Sequence, residues 1–446
     1  MVRTKRYTLV MLALALVAGL LMACSSGNDK AANSASNGPG ASPAGASDSG
    51  KPKDPVKLTF WGGVPAESGP QAVVDKWNSE HPDIQVEYVR FVNDDEGNLK
   101  LDTALLTQQG VDVYMSYNVP RLQKRIDAGT ALDLSNFSDY NIEEQMGPAT
   151  VDWKIDGKFY AIPTTKNVYM VWLNQNLLDE KQLDIPFEWN WQEMKQYANT
   201  LKTDNRYGLV QFLESYADSL DSVLSRYGYT KEDGSSNLDH PGIAQWLETL
   251  KEMMDNGATA PLGEQLTSKM PVETMFLKGE AAMLNAGPYI FRTANNLKDN
   301  PRDFKISFAP VPRIPDNPSD FMPRGGLGDG VTLNPHSKHV NEAWEFAKWY
   351  SDEGIILMAA GGRVPASKSV DKNEAAALMV QGVEDLYDLE SLKKTLFEQE
   401  NTFTRTTPQQ VIDLRREEYE KYFIGNQDLK QTLDTMVKRH NDFLKQ

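Results

Sequence analysis

The sequence predicts an α/β protein built in two parts. A strand–helix–strand unit opens the folded region, a tight hairpin near residue 156 marks a change of style, and the last hundred or so residues read as helices. The 446 residues are enough for about two to three domains of ordinary size. Hydrophobic residues at 40% against 24% charged ones give the balance of a globular protein rather than a disordered one.

Ahead of that body, residues 1–23 read as an export signal: basic Arg3, Lys5 and Arg6, then an apolar run over 9–21. The run is shorter than the ~20 residues that a membrane-spanning helix needs. It ends in Leu21-Met22-Ala23-Cys24, which is similar to the lipobox of bacterial lipoproteins, where the cysteine is lipidated and becomes the first residue. Residues 25–53 contain no aromatic or branched aliphatic side chain, so the stretch 24–55 is expected to be a flexible tether. One acyl chain holds a protein only marginally, whereas two or more hold it stably. A diacylglyceryl group on Cys24 would therefore leash the body to a membrane's outer face, as on a Gram-positive cell.

The alternation over 56–61 predicts a strand, and Gly62-Gly63 a turn. Val73, Val74 and Trp77 then share one helix face, with Pro82 beyond its end, and Ile84, Val86 and Tyr88 alternate as a second strand. Two strands joined by a helix are parallel, with a right-handed crossover. A helix through Leu105, a strand over 111–115 and a helix holding Leu122 and Ile126 follow. Asp156-Gly157 is a hairpin turn between 153–155 and 159–162, and 169–174 is a further strand. Asn190 and Glu193 form a capping-box pattern before Met194, Tyr197, Ala198 and Leu201. Pro241 opens a helix through Trp246 and Leu250 that Gly257 stops. Strands are expected near 207–212, 281–285, 304–309 and 330–333.

Composition excludes several functions. The net charge of −16 repels phosphate backbones, which argues against nucleic-acid binding. A single cysteine rules out intramolecular disulfides, cysteine-based zinc sites and iron–sulfur clusters. The sequence has no HExxH, no GxSxG elbow and no complete dinucleotide or Walker loop. Asp94-Asp95-Glu96 lacks the ligand set of a calcium loop and reads as a charged surface turn. No cofactor is expected.

Five segments, in order, resemble the extracellular solute-binding proteins of ABC sugar importers, the family that includes maltose-binding protein. They are LTFWGG with VVDKWNSEHPDIQVEYV, then DGKFYAIPTTKNVYMVWLNQNLLDE, FLKGEAAMLNAGPYI, FAPVPRIP, and GDGVTLNPHSKHVNEAWEFAKWYSDEGIILMAAGGRVPASKSV. Leu173 stands where that family has tyrosine, and Tyr289 where tryptophan is frequent. The resemblance implies a two-lobed periplasmic-binding-protein-like fold with hinge crossovers and a helical carboxy-terminal region. Lobe one would comprise 56–164 plus 328–366, and lobe two 165–327 plus 367–446. It also implies capture of a carbohydrate of oligosaccharide size in the cleft, delivery to an ABC permease, and work as a monomer. An extracellular glycoside hydrolase, whose two carboxylates need not be near in sequence, and a sensory or adhesion lipoprotein on the same fold are the alternatives.

Sugars are held by aromatic faces against their C–H sides and by planar polar groups at their hydroxyls. Strand ends supply both. Trp61, Gly63 and Glu67 lie in the first such loop, and Tyr117 and Asn118 follow the strand over 111–115. Asn167 and Tyr169 occupy the expected crossing between lobes, and Gln211 and Tyr216 follow the strand over 207–212. By resemblance, Tyr289 is the stacking aromatic. Gly326 and Asp329 belong to a glycine-rich turn, and Arg363 follows a second double glycine. Lys166, Arg292, Arg324 and Arg363 leave an acidic sugar open beside a neutral one.

Overall fold

The computed structural model describes residues 54–313, 325–398 and 408–445, with the side chains of 214–220 and 409 outside the description. The signal, Cys24 and nearly all of the tether fall outside it, as do Arg324 and the side chain of Tyr216.

Two sheets organise the body. The first runs β12-β6-β11-β3-β1-β2, and the second β10-β7-β9-β8. Their strands are β1 Val56–Gly62, β2 Ile84–Arg90, β3 Val113–Ser116, β6 Ile162–Lys166, β7 Met170–Asn174, β8 Tyr207–Gln211, β9 Ala281–Ala286, β10 Ile306–Pro310, β11 Leu327–Leu333 and β12 Val364–Pro365. The small hairpin pairs β4 Lys154–Ile155 with β5 Lys158–Phe159. Its turn residues take positive φ, 51° at Asp156 and 77° at Gly157, as the Asp-Gly pair predicts.

The opening unit is as expected. β1 pairs in parallel with β2 through helix α1, Pro70–Glu80, and with β3 on its other side. β3 begins two residues later than expected. Asp112 is spent instead on accepting the backbone N–H of Thr59 at 2.8 Å, which ties the strand's entry to β1. Phe60 anchors the core beneath this sheet, meeting Phe346 and Tyr350 edge to face at 5.4 and 5.3 Å.

The second sheet is covered on both faces, and period two explains how. Val171 and Leu173 of β7 face a core with Trp189, Trp191, Trp246 and Met283, while Met170 and Trp172 face another with Phe291 and Phe308. All five β7 residues are buried, so polar alternation is missing and the strand reads as a continuous apolar run. The expected capping box opens the helix Trp191–Leu201: Asn190 Oδ1 accepts from the backbone of Gln192 and Glu193, and Asn190 N–H donates to Glu193 at 2.8 Å. Helices at 372–397 pack on the Trp172 face, and those at 409–444 on the opposite one.

The chain passes between sheets more than once. It leaves the first after β6, returns at β11, and departs again after β12. Residues 167–169 are a whole crossing, so whatever they touch sits where the sheets meet.

Candidate functional site

The carboxyl ends of the parallel strands supply the first part of the site, where open α/β sheets place their ligands. Trp61, opposite Val89 and Tyr114 in the ladder, is half-buried against Phe91 and Leu101, and the Lys100 ammonium lies 5.9 Å over its ring. The N–H of Gly63 donates to the hydroxyl of Tyr117 at 2.5 Å, while Tyr88 donates its hydroxyl to the carbonyl of Val64 at 2.6 Å. Two tyrosines thus clamp one turn. A Cβ at Gly63 would come within 2.9 Å of Asn93 and 3.1 Å of the Tyr117 ring, so only glycine fits. Burial pushes both phenols well above the usual tyrosine range, and the charge of Asp329 adds to the effect at Tyr117.

The crossings supply the second part. Asn167 donates its backbone N–H to Gly326 at 2.9 Å and its side-chain amide to Leu327 at 3.3 Å, so the outgoing and returning segments are stitched together. Gly328 faces that amide closely: a Cβ there would meet Asn167 Oδ1 at 2.9 Å, and the amide would have to shift. Asp329 takes a φ of 48°, its carbonyl accepts from Thr164 at 2.6 Å, and its carboxylate meets Arg363 Nε at 2.6 Å. That carboxylate holds the guanidinium above its ordinary value.

Arg363 is delivered by a glycine with a positive φ of 79°. A Cβ on Gly362 would stand 2.1 Å from the Pro288 carbonyl oxygen and 3.1 Å from Tyr289 Cα, so the Gly361-Gly362 turn lies directly on the Pro288-Tyr289 turn. Tyr289 is half-buried with Phe212 6.1 Å away, and its carbonyl accepts from Arg292 Nε at 3.3 Å. Gly63, Tyr117, Asp329, Arg363 and Tyr289 therefore form one constellation drawn from both sheets.

The other expected residues have different surroundings. Asn118 is exposed and caps α3, Val119–Asp127, by accepting from Arg121 N–H at 2.9 Å. Glu67 is exposed on a single turn, Ala66–Ser68. Gln211 is only 3% exposed and accepts from the Asn285 amide at 3.4 Å, across β8 and β9. Tyr169 is half-buried within the crossing. The acids at 94–96 have local uses: Asp94 caps α2, Asp95–Leu106, and Asp95 pairs with Arg121 at 2.7 Å.

Sequence reading missed Tyr88 and Arg90. Both lie at the carboxyl end of β2, beside the Trp61 loop, and that position was the available signal. A cavity of about 220 Å³ opens between Lys166, Ser367, Lys368, Lys372 and Phe397; Lys166, one of the cations singled out for an acidic sugar, lines it, and the constellation does not. Three histidines are engaged away from the constellation: His81 stacks on Trp77 at 3.5 Å, His240 caps the helix Pro241–Asp255, and His440 bonds Ser236 at 2.9 Å. The constellation offers rings, donors and acceptors for holding a hydroxylated molecule.

A family model described as bacterial extracellular solute-binding protein matches residues 62–355. A binding protein of Brucella abortus is 25% identical over 218 residues, 45% of this chain and 51% of its own length. The galactooligosaccharide-binding protein of Bacillus subtilis is 24% identical over 253 residues, 54% of this chain and 55% of its own. The chain thus spans about half the length of the curated relatives it matches. A sugar transporter of Rhizobium etli, solved in an open conformation, superposes with a TM-score of 0.68 at 18% identity, over 86% of this chain and 98% of that one. That likeness is one of fold, and the fold is the two-lobed one expected.

Proposed function

The chain belongs to the bacterial extracellular solute-binding protein family, and from that premise we propose that it captures a carbohydrate between its lobes and passes it unaltered to an ABC permease. The observation that carries the reading is the meeting of Tyr289 and Gly362-Arg363 with Asp329, Gly63 and Tyr117, a ring and polar groups from both sheets at the crossings. The name of the Bacillus subtilis relative supports a sugar ligand. Lobe one takes 56–164 plus 328–366, and lobe two 165–327 plus 367–446. Lipid on Cys24 tethers the body outside the cell, where it works as a monomer. Among the described residues no helix is long and apolar enough to cross a membrane, and the proposed anchor needs none.

The energetics suffice. A micromolar ligand requires about −8 kcal/mol. Several hydrogen bonds at about 1 kcal/mol net each, with stacked rings adding about 1 kcal/mol apiece, supply that. Because ligand touches both lobes, it binds the closed arrangement better and shifts the population towards it.

A thermal-shift screen against oligosaccharides tests the reading. A true ligand at a hundred times its dissociation constant adds about 2.7 kcal/mol of stability. Small-angle scattering should show compaction, and chromatography should recover the sugar intact. Failure of every sugar to stabilise the protein, or recovery of cleaved sugar, refutes it.

A further inference from the structure

Three arginines distinguish this cleft, and they arrive from different parts of the chain. Arg90 ends β2 in the first sheet, opposite Gly62, with its side chain exposed. Arg292 lies in the short helix Phe291–Ala294, next to the second sheet's β9, and its Nε is held to the Tyr289 carbonyl. Arg363 stands beside the same tyrosine, because Gly362 packs on Pro288. Among the described residues Arg363 has Asp329 as its ion-pair partner, while no carboxylate pairs with Arg90 or Arg292.

We propose, resting on the carbohydrate reading above, that the ligand is an acidic glycan, a short oligosaccharide whose hexuronate carboxylate is received by Arg90 and Arg292 from opposite lobes, with Arg363 close by. The planar guanidinium fork matches a carboxylate bidentately, and Tyr289, whose carbonyl accepts from Arg292 and whose backbone meets the Gly362 turn, carries a half-buried ring that offers a face for the pyranose. The protein carries a net charge of −16, so a gathering of cations here runs against its composition. Local charge decides what a cleft attracts. Partial burial first, then the charge of Arg363 and, more weakly, that of Arg90, hold Arg292 below its ordinary guanidinium range, with Glu273 the opposing acid. Like charges facing across the lobes resist closure. A carboxylate between them turns that repulsion into attraction, so the ligand's own charge supplies the preference for the closed state.

Isothermal titration of the full chain with trigalacturonate, the neutral galactotriose, and a sulfated trisaccharide, each at low and high salt, tests this. The expected result is at least tenfold tighter binding of trigalacturonate than of galactotriose, with a loss of several-fold at high salt for the acid alone. Arg90→Gln and Arg292→Gln should each lose about tenfold for the acid. Arg292→Lys should keep the preference, with melting temperature recorded for every variant. Equal or tighter binding of galactotriose overturns the acidic assignment and leaves the carbohydrate reading standing. Tight binding of the sulfated sugar alone overturns the carboxylate in favour of a sulfate ester. Binding of none of the three overturns the acidic assignment, and the wider sugar screen then decides the carbohydrate reading separately.

Discussion

Replacing Gly362 by alanine should be far more damaging than its size implies. The residue sits at a φ of 79°, and a new Cβ would stand 2.1 Å from the Pro288 carbonyl oxygen, against the 3.0 Å or more that such atoms keep. One turn must move by about 0.9 Å, and the oxygen belongs to backbone rather than to a flexible side chain. Left-handed backbone costs an L-residue about 1 kcal/mol, and overpacking adds about 2 kcal/mol. Gly382 is the matched control: its φ is 82°, but nothing lies within 4 Å of its would-be Cβ. Gly382→Ala should therefore lose only the backbone portion, about 1 kcal/mol. Urea titrations followed by tryptophan fluorescence compare the two directly. Gly362→Ala should also weaken ligand several-fold, since Tyr289 and Arg363 are what the two turns hold together. Equal losses of stability in the two variants would refute the close-contact reasoning.

Three other outcomes are expected. Tyr117→Phe removes the acceptor for Gly63 N–H; it should lower stability by about 1 kcal/mol and loosen the Trp61 loop, read by faster amide exchange at Gly63. Arg415 pairs with Asp221 at 2.7 Å, both almost wholly buried, and Tyr229 also bonds that carboxylate. Arg415→Met alone strands a charge and should lose about 3–5 kcal/mol, whereas adding Asp221→Leu should restore most of it, as urea midpoints will show. Burial, with Arg415 nearby, holds His440 below its ordinary value of 6.5. The unfolded chain then takes up a proton before the native one does, so stability is full above about pH 6.5 and is lost as pH falls through that value. His440→Gln should flatten this acid limb of melting temperature against pH.

Much of the architecture was legible because it rests on short-range physics. Asp156-Gly157, the Asn190–Glu193 box and the alternation of β1 and β2 each depend on neighbours a few residues away, and all of them are in place in the fold. Burial was harder to read. Gln211 looks like a polar strand end available to a ligand, yet it is 3% exposed and turned to Asn285 on the neighbouring strand. Asn118 is equally polar and equally placed after a strand, and its oxygen is occupied with capping α3. Position at a strand's end identifies a neighbourhood, but not which polar atoms there are already satisfied.

By itself the chain's order of residues determined the class of fold and the family, since these follow from local periodicity and from motifs met in sequence. Only the tertiary structure decided that Gly362 lies on Pro288, that Asp329 answers Arg363, and that Asn167 bonds Leu327. Those partners are tens to hundreds of residues apart. Their encounters are settled by how often the chain crosses between sheets and where it turns, and such long-range geometry leaves no periodic trace in the residues it joins.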